Sequence, residues 1–440
     1  MKIRGLLFAT LIFAVLAGVL YWSDHRKSSA EAAKPSGDEV PAILKLDENA
    51  ISSLNLKKKN APPIELAKTG SEWKITEPKP YGADQSTVTG MLSTVSALNS
   101  ERLVDDKATD LKRYGLEQPS FELDVAEKDN KSQRLLLGDD TPTGNGVYAA
   151  LAGDPRVFTI ANYNKNSIDK SLNDLRDKRL LTVNADKVSR VEIDGKSGDI
   201  EFGRNKDAWQ IVKPKPLRAD NSEVGELERK LTDAKMDLSG SGASEQDAAS
   251  TFAHGSPVAT AKLTDESSTQ ELQVRKSKDA YYAKSSVVEG VYKVGNDLGE
   301  ALNKKLDDFR NKKLFDFGFA DPNKIEIHSG SKNYWLMRGG QDWWNNGKKM
   351  DASAVQSLIS NLRDMAADKF LDSGFTAPQI EATVTSDDGK RVEKIQIAKS
   401  ALGYIAKREN DPTLYQLTSS SGDDLQKAVD GLKPAVETKK

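Results

Sequence analysis

The chain has 440 residues, which is too long for one ordinary hydrophobic core and fits two to four domains. Its net charge of −2, from 64 basic and 66 acidic side chains, gives no polyelectrolyte character, so we expect no nucleic-acid partner. The lack of cysteine excludes disulfides, thiolate metal sites and cysteine nucleophiles.

The N-terminus has the features of a membrane anchor. Residues 5–22 (GLLFATLIFAVLAGVLYW) are 18 uncharged, mostly apolar positions, or about 27 Å of helix, close to the roughly 30 Å hydrocarbon core of a bilayer. Lys2 and Arg4 precede this run, so we expect residues 1–4 to be a cytoplasmic stub. The bulk of the chain is then periplasmic, behind a single pass through the inner membrane. A cleaved signal peptide is the alternative, although its apolar region usually spans about 7–15 residues.

Residues 23–40 are small, polar and charged, which is typical of a flexible tether. After this tether, two stretches share one pattern: residues 73–84 (WKITEPKPYGAD) recur as residues 209–220 (WQIVKPKPLRAD), with seven identical positions and no gap. A repeat of this kind predicts similar modules in tandem. Alternating apolar residues before each tryptophan predict strands of an antiparallel meander.

Each Pro-x-Pro step is followed by a helix signal. Asp84 and Asp220 stand at expected N-cap positions, and apolar residues follow each of them at helical spacing. Glu223, three residues after Asp220, predicts a capping box.

The rest of each copy continues the repeat. Gly115 and Gly255 mark equivalent turns, and each copy closes with a helical segment that we expect to continue to Leu181 or Phe315. The C-terminal part contains a divergent copy in which Asn346-Gly347 predicts a tight type I′ turn in place of Pro-x-Pro. The predicted fold class is α+β, with tandem repeated modules of antiparallel β-meander plus helices behind one N-terminal transmembrane helix. The expected modules are residues 41–181, 182–320 and 321–435.

No pattern in the sequence indicates catalysis. The three histidines, His25, His254 and His328, share no metal-ligand spacing, and the glycine-rich pieces lack a phosphate-binding motif. We therefore predict no catalytic residue, no metal and no cofactor. The basic residues after the last helical segments, Arg310 among them, are expected to complement a helix dipole.

The tryptophans are the candidates for recognition. Trp73 and Trp209 are expected to be core anchors, with Trp343 or Trp344 at the equivalent place in the third copy. Because Trp335, Trp343 and Trp344 are concentrated in that copy, any aromatic interaction surface is expected there.

The chain also resembles a known family. The Trp-x-Ile…Pro-x-Pro…Ala-Asp step, the turn at residues 114–119 (YGLEQP) and the strand Val147-Tyr148 after Gly138 are similar to the bacterial domain-of-unknown-function 4340 family. The resemblance covers most of residues 41–320 as two copies and extends more weakly over 321–435. It implies an envelope protein with one N-terminal membrane segment. Because members are often encoded beside components of a gliding-motility-type ABC transport system, it also implies an auxiliary role there, with no catalytic residues to transfer.

Two hypotheses of function follow from these features. In the first, the chain is a membrane-anchored extracytoplasmic interaction or scaffold protein. It would contact the lipid bilayer through residues 5–22 and assemble with an integral-membrane transport complex of the ABC type. In the second, it is an envelope glycan-binding protein or hydrolase that uses the tryptophan-rich third module.

Overall fold

In a computed structural model of the protein, the described residues are 42–129, 131–239, 245–319, 322–401 and 403–436. The chain divides into two compact units, Met1–Lys178 and Arg179–Lys440. The expected stub, anchor and tether at residues 1–40 lie outside the described residues. Within those described ranges, no helix has the length and apolar character needed to cross a membrane.

The first unit contains one antiparallel sheet and the helices that cover it; we call its described part module 1. Its strands are β1 (Ile51–Lys58), β2 (Ile64–Thr69), β3 (Glu72–Glu77), β4 (Tyr81–Gly82), β5 (Arg102–Asp105), β6 (Phe121–Glu127), β7 (Ser132–Asp140), β8 (Gly146–Leu151) and β9 (Val157–Ala161). Its helices are α1 (Gln85–Ser96), α2 (Asn162–Ile168) and α3 (Leu172–Leu175), with a 3₁₀ helix at Leu111–Tyr114. The strand order is β4-β3-β2-β1-β6-β7-β8-β9-β5.

The second unit contains two more sheets. The first of them, in module 2 (residues 179–312), has strands β10 (Arg190–Gly195), β11 (Gly198–Asn205), β12 (Ala208–Lys213), β13 (Leu217–Arg218), β14 (Ser256–Thr264), β15 (Thr269–Ser277), β16 (Ala280–Ser285) and β17 (Val291–Val294). Its helices are α4 (Asn221–Thr232), α5 (Glu245–His254) and α6 (Asn296–Leu302), with 3₁₀ helices at Ala185–Lys187 and Leu306–Asp308. The strand order is β13-β12-β11-β10-β14-β15-β16-β17.

Module 3 (residues 313–436) repeats this plan. Its strands are β18 (Lys324–Ser329), β19 (Lys332–Gly339), β20 (Asp342–Asn345), β21 (Lys348–Lys349), β22 (Lys369–Leu371), β23 (Ile380–Ser386), β24 (Arg391–Ser400), β25 (Gly403–Arg408) and β26 (Leu414–Leu417). Its helices are α7 (Ala352–Asp364) and α8 (Ser419–Asp430), with a 3₁₀ helix at Asp387–Gly389. The strand order, β21-β20-β19-β18-β23-β24-β25-β26-β22, is that of module 1.

All three modules are therefore built from two meanders joined in the middle of one sheet. The first meander runs outward to an edge, a long helix crosses over, and the second meander starts beside the first strand: β1 pairs with β6, β10 with β14 and β18 with β23. Strict alternation of apolar residues in β6 and β23 gives one buried and one outer face. The long helix packs against the later helix of its module on the buried face, α1 with α2, α4 with α6 and α7 with α8. The predicted α+β class and tandem modules are confirmed.

On the outer face, an insert between the long helix and the second meander covers the later strands. In module 1 it places Tyr114 and Leu116 against Ala150 and Val157. In module 2 the insert is α5, which packs on β15, β16 and β17. In module 3, Gly374 lies close to Ile405, which is 5% exposed.

The segments that follow the last helix of a module differ from the expectation. They were expected to be helical up to Leu181 and Phe315, but α3 ends at Leu175 and α6 at Leu302. Leu180 and Leu181 are buried in the core of module 2, and Leu314 and Phe315 in that of module 3. Module 1 therefore ends about three residues before the expected boundary at 181, and module 2 ends about eight residues before the expected boundary at 320.

Candidate interaction surface

The tryptophans common to the three modules belong to the hydrophobic cores. Trp73 and Trp209 are each 4% exposed, and Trp343 is 8% exposed. In modules 1 and 2, the residue after the N-cap aspartate binds the backbone of the tryptophan. Gln85 Oε1 accepts from the backbone N–H of Trp73 at 2.9 Å, and Asn221 Oδ1 accepts from the backbone N–H of Trp209 at 2.6 Å. Trp343 is therefore a core residue, and it does not belong to the aromatic interaction surface that was predicted for Trp335, Trp343 and Trp344.

The aspartates of the repeat begin the long helices. Asp84 caps α1 by accepting from the Thr87 N–H at 2.9 Å, and Asp220 caps α4 by accepting from the Ser222 N–H at 2.9 Å. The capping box expected with Glu223 does not form, because the Asp220 N–H donates to the Phe309 carbonyl at 2.8 Å instead.

The two repeat glycines let an insert approach the sheet. Gly115 has a φ of 68°, and a Cβ there would lie 2.5 Å from the Asp139 side chain. Gly255 follows α5, and a Cβ there would lie 3.2 Å from the Lys276 carbonyl oxygen. Only Gly115 adopts the left-handed conformation, so the two turns share a place but differ in geometry.

The other two candidate tryptophans lie together on the outer face of module 3. Trp335 is 41% exposed, Trp344 is 39% exposed, and Met337 between them is 58% exposed. Met337 lies directly opposite Trp344 across the β19–β20 pair, and Trp335 lies two residues away on β19. Because side chains two residues apart share a face, these three form one apolar surface, which we call the Trp–Met patch.

The strand register shows that the fold does not require this patch. Leu66, Phe202 and Leu336 occupy the same core position, each opposite an apolar residue of the central strand. The neighbouring outer positions are Glu65, Ala67 and Lys74 in module 1, Glu201, Gly203 and Gln210 in module 2, and Trp335, Met337 and Trp344 in module 3. Modules 1 and 2 thus fold with polar or small residues where module 3 has two indoles and a thioether.

Local contacts fix both indoles. The Trp335 ring meets the His328 ring edge-on with centroids 5.7 Å apart, and the backbone N–H of Trp335 donates to Asn345 Oδ1 at 2.9 Å, which fixes the strand that carries this ring. A Cβ on Gly339 would lie 3.1 Å from Trp344 Nε1, so the absence of a side chain there lets the indole lie close to the strand. The patch is therefore positioned before any partner arrives.

The charged residues beside the patch neutralise one another. Lys324, opposite Met337 on β18, forms an ion pair with Glu326, which lies opposite Trp335. Lys349, opposite Trp344, pairs with Asp342 at 2.8 Å. The charged residues directly opposite the patch residues are therefore paired with one another or with a neighbour.

A second feature, which the sequence analysis missed, is the junction between modules 2 and 3. Arg218 on β13 makes two hydrogen bonds of 2.6 Å to the carboxylate of Asp316. It also donates to the Lys313 carbonyl at 2.8 Å and to Tyr415 Oη at 3.1 Å. These residues lie beside an open groove of about 710 Å³ between β13 and the loop at residues 409–412.

The other junction arginines are also engaged. Arg310 stacks over the Phe370 ring at 3.6 Å from its centroid, so it joins modules 2 and 3. The helix whose dipole it was expected to complement ends earlier, since α6 ends at Leu302 and the following 3₁₀ helix at Asp308. Arg408 donates to the Leu314 carbonyl and pairs with Glu393 at 3.2 Å. Arg310 also donates to Asp307 at 3.0 Å, and Arg391 donates to the Asp316 carbonyl. Each described arginine of the groove therefore has an acceptor, which favours a structural role for the groove over ligand binding.

Tyr415 completes this network. Its hydroxyl donates to Asp411 Oδ2 at 2.7 Å. Burial and this hydrogen bond raise the pKa of Tyr415 to about 12, although the nearby Arg218 opposes the shift. Tyr415 therefore remains a neutral donor at physiological pH. Within the part of the chain that the structure describes, no group of three or more potential ligands is arranged to hold a metal ion.

Comparisons with known proteins place the sequence in a family. The family described as "Domain of unknown function (DUF4340)" matches residues 73–208 and 209–385 in two adjacent copies. No curated protein matches the chain. Among solved structures, it is similar to the crystal structure of a DnaN sliding clamp (DNA polymerase III subunit beta) from Pseudomonas aeruginosa bound to griselimycin. That match has 9% identity over 86% of this chain and 92% of that chain, and its TM-score of 0.13 is too low to support any argument. The two family matches together span most of the chain, which therefore belongs to the DUF4340 family.

Proposed function

We propose that this protein is a membrane-anchored extracytoplasmic interaction or scaffold protein and an auxiliary component of a gliding-motility-like ABC transport complex. The observation that carries the proposal is the Trp–Met patch, an exposed apolar surface at positions where the other modules carry polar or small residues. Tryptophan and methionine are enriched at protein interfaces, where a few such residues supply most of the binding energy. The transport context comes from the resemblance of the sequence to its family.

The proposed mechanism is presentation of surface at a membrane. Residues 5–22 would anchor the chain in the inner membrane as a single pass, and the modules would lie on the periplasmic side. A tether raises the effective concentration of a binding surface near a membrane partner to the millimolar range for short linkers. A surface of modest intrinsic affinity would then suffice to hold the complex together.

The test is purification of the tagged full-length protein from membranes of its own organism after mild cross-linking. The proposal expects integral-membrane components of an ABC transport complex in near-stoichiometric amounts. Recovery of no membrane protein at that level, from cells that contain the transport complex, would contradict it.

Glycan binding is the second candidate, favoured by the exposure of Trp335 and Trp344 on one face. Aromatic rings offer an apolar surface on which a sugar ring can stack. Binding of purified cell-wall fragments that is lost in Trp335→Ala/Trp344→Ala would support it, provided that the variant remains folded.

A further inference from the structure

We infer that the Trp–Met patch binds a short, uncharged, apolar peptide segment of a partner protein. The inference deepens the proposed function, on which it rests, by naming the surface and the chemistry of its occupant. It is carried by the charge around the patch, by its size and by the place of Met337.

Charge indicates the chemistry of the occupant. Four charged residues beside the patch are already paired, Lys324 with Glu326 and Lys349 with Asp342. A charged segment would find no unpaired counter-charge among them, and it would pay desolvation without compensation. An uncharged apolar segment avoids the cost of desolvating a charge and gains from burial of the indoles and the thioether.

The exposed area of the patch favours a short segment over a second copy of the chain as its occupant. Trp335 and Trp344 are 41% and 39% exposed, which corresponds to about 120–200 Å² for the two side chains together. A stable protein dimer buries about 800 Å² on each partner. Met337 adds to this area, but the patch stays well below the area of a dimer interface, and it is large enough for a few side chains of a peptide.

The presence of Met337 favours a peptide over a sugar as the occupant of the patch. Met337 neighbours both tryptophans, two residues from Trp335 on β19 and opposite Trp344 on β20, and is the most exposed of the three, at 58%. A methionine side chain is flexible and polarizable, and it adapts to apolar side chains of different shapes. It also lacks the flat face that an aromatic ring offers to a sugar. The combination of two fixed aromatic residues and one adaptable residue fits recognition of a peptide.

The test uses the full-length protein, labelled with 5-fluorotryptophan, and random 12-residue peptides displayed on phage. The triple variant Trp335→Glu/Met337→Ala/Trp344→Lys, which carries the residues of module 1 at the same register, provides the counter-selection. Val392→Ser, at a residue 60% exposed on the same sheet, is the matched control. We expect enrichment of uncharged apolar peptides. A synthetic peptide from the selection should shift the fluorine resonances of Trp335 and Trp344 and leave those of Trp73, Trp209 and Trp343 unchanged. It should bind the triple variant at least tenfold more weakly and the control equally well.

Four results would overturn the inference: enrichment of charged peptides, undiminished binding to the triple variant, shifts of the two resonances by chitotetraose but not by peptides, or a wild-type dimer in sedimentation that the triple variant abolishes. The resonance shifts are measured on the wild-type protein, so they decide the matter even if the triple variant fails to fold. The experiment needs no transport complex. Peptide binding without recovery of a membrane partner would refute the proposed function alone. Recovery of a membrane partner without peptide binding would refute the inference alone.

Discussion

At the scale of single residues, the repeat aspartates are the most local features of the fold. Asp84 caps α1 through the Thr87 N–H and also accepts from the Ser86 hydroxyl at 2.6 Å. Such a cap depends on a few adjacent residues, so it could be predicted from the sequence.

We expect Asp84→Ala to lower the free energy of unfolding by about 1 kcal/mol, because the first turn of α1 loses its acceptor. Asp84→Asn is the matched control, since asparagine caps a helix about as well as aspartate. Urea unfolding of both variants measures the difference. An equal loss in both would assign the effect to charge and not to the cap.

Asp237 gives a prediction about pH. Its carboxylate accepts from the Ser239 hydroxyl and from the Ser239 N–H at 3.1 Å, and it pairs with Lys293 at 3.1 Å; these contacts lower its pKa from 3.8 to about 2. Because the folded state favours the ionised form, the stabilisation is complete above about pH 4 and is lost as the pH falls towards about 2. The difference in unfolding free energy between wild type and Asp237→Asn should shrink over that range in urea titrations. A difference that stays constant with pH would refute this.

Other residues could not have been assigned from sequence. Arg218 and Asp316 are 98 positions apart and meet only because β13 faces the start of module 3. A second example is a repeated clamp: Gln133, Gln270 and Glu393 accept backbone N–H groups of Lys45, Thr182 and Asp316. In each module the clamp joins a strand of the second meander to the segment that precedes the first strand. The accepting residue is glutamine in modules 1 and 2 and glutamate in module 3, so no fixed sequence pattern marks the clamp.

At the scale of elements, local sequence signals predicted the strands and turns well. They did not predict contacts between elements that are far apart in the sequence. Asn346 and Gly347 have φ of 50° and 76° between β20 and β21, as a type I′ turn requires. The packing of helices on the sheets was missed. In modules 2 and 3 a helix glycine lies against a strand tyrosine, Gly299 against Tyr281 and Gly422 against Tyr404.

We expect Gly299→Ala to lower the free energy of unfolding by about 1–3 kcal/mol, because its Cβ would lie 2.1 Å from the Tyr281 ring. Gly225→Ala in α4 is the control, since a Cβ there has no neighbour within 4 Å. The control should gain up to about 1 kcal/mol from helix propensity. In a Tyr281→Val background the cost of Gly299→Ala should fall. A cost that is the same in both backgrounds would show that the ring is not responsible.

The junction of modules 2 and 3 should show energetic coupling. A double-mutant cycle of Arg218→Met and Asp316→Asn is expected to give about 1 kcal/mol, a modest value because the Asp316 side chain is 39% exposed. The exposed pair Lys187–Glu266, 3.3 Å apart, is the control and should give less than about 0.5 kcal/mol. Equal coupling in the two pairs, measured by urea unfolding, would count against a structural role for the groove.

At the scale of the whole molecule, the motif shared by residues 73–84 and 209–220 predicted the tandem organisation, and the divergent third copy was predicted from other signals because it lacks Pro-x-Pro. The order of the strands could not be derived from it, because the chain crosses each sheet before the second meander begins. The same limit applied to the candidate surface. Trp343 and Trp344 are adjacent in sequence, and only the sheet shows that one faces the core and the other the outside.

Our main proposal is that module 3 holds this protein to a membrane complex through the Trp–Met patch. Quantitative mass spectrometry of cross-linked complexes, purified from membranes with wild-type protein, with Trp335→Glu/Met337→Ala/Trp344→Lys and with Val392→Ser, tests it most directly. We predict near-stoichiometric recovery of integral-membrane transport components with the wild type and with Val392→Ser, and at least a tenfold loss with the triple variant. Equal recovery with all three proteins, or none with the wild type, would contradict the claim.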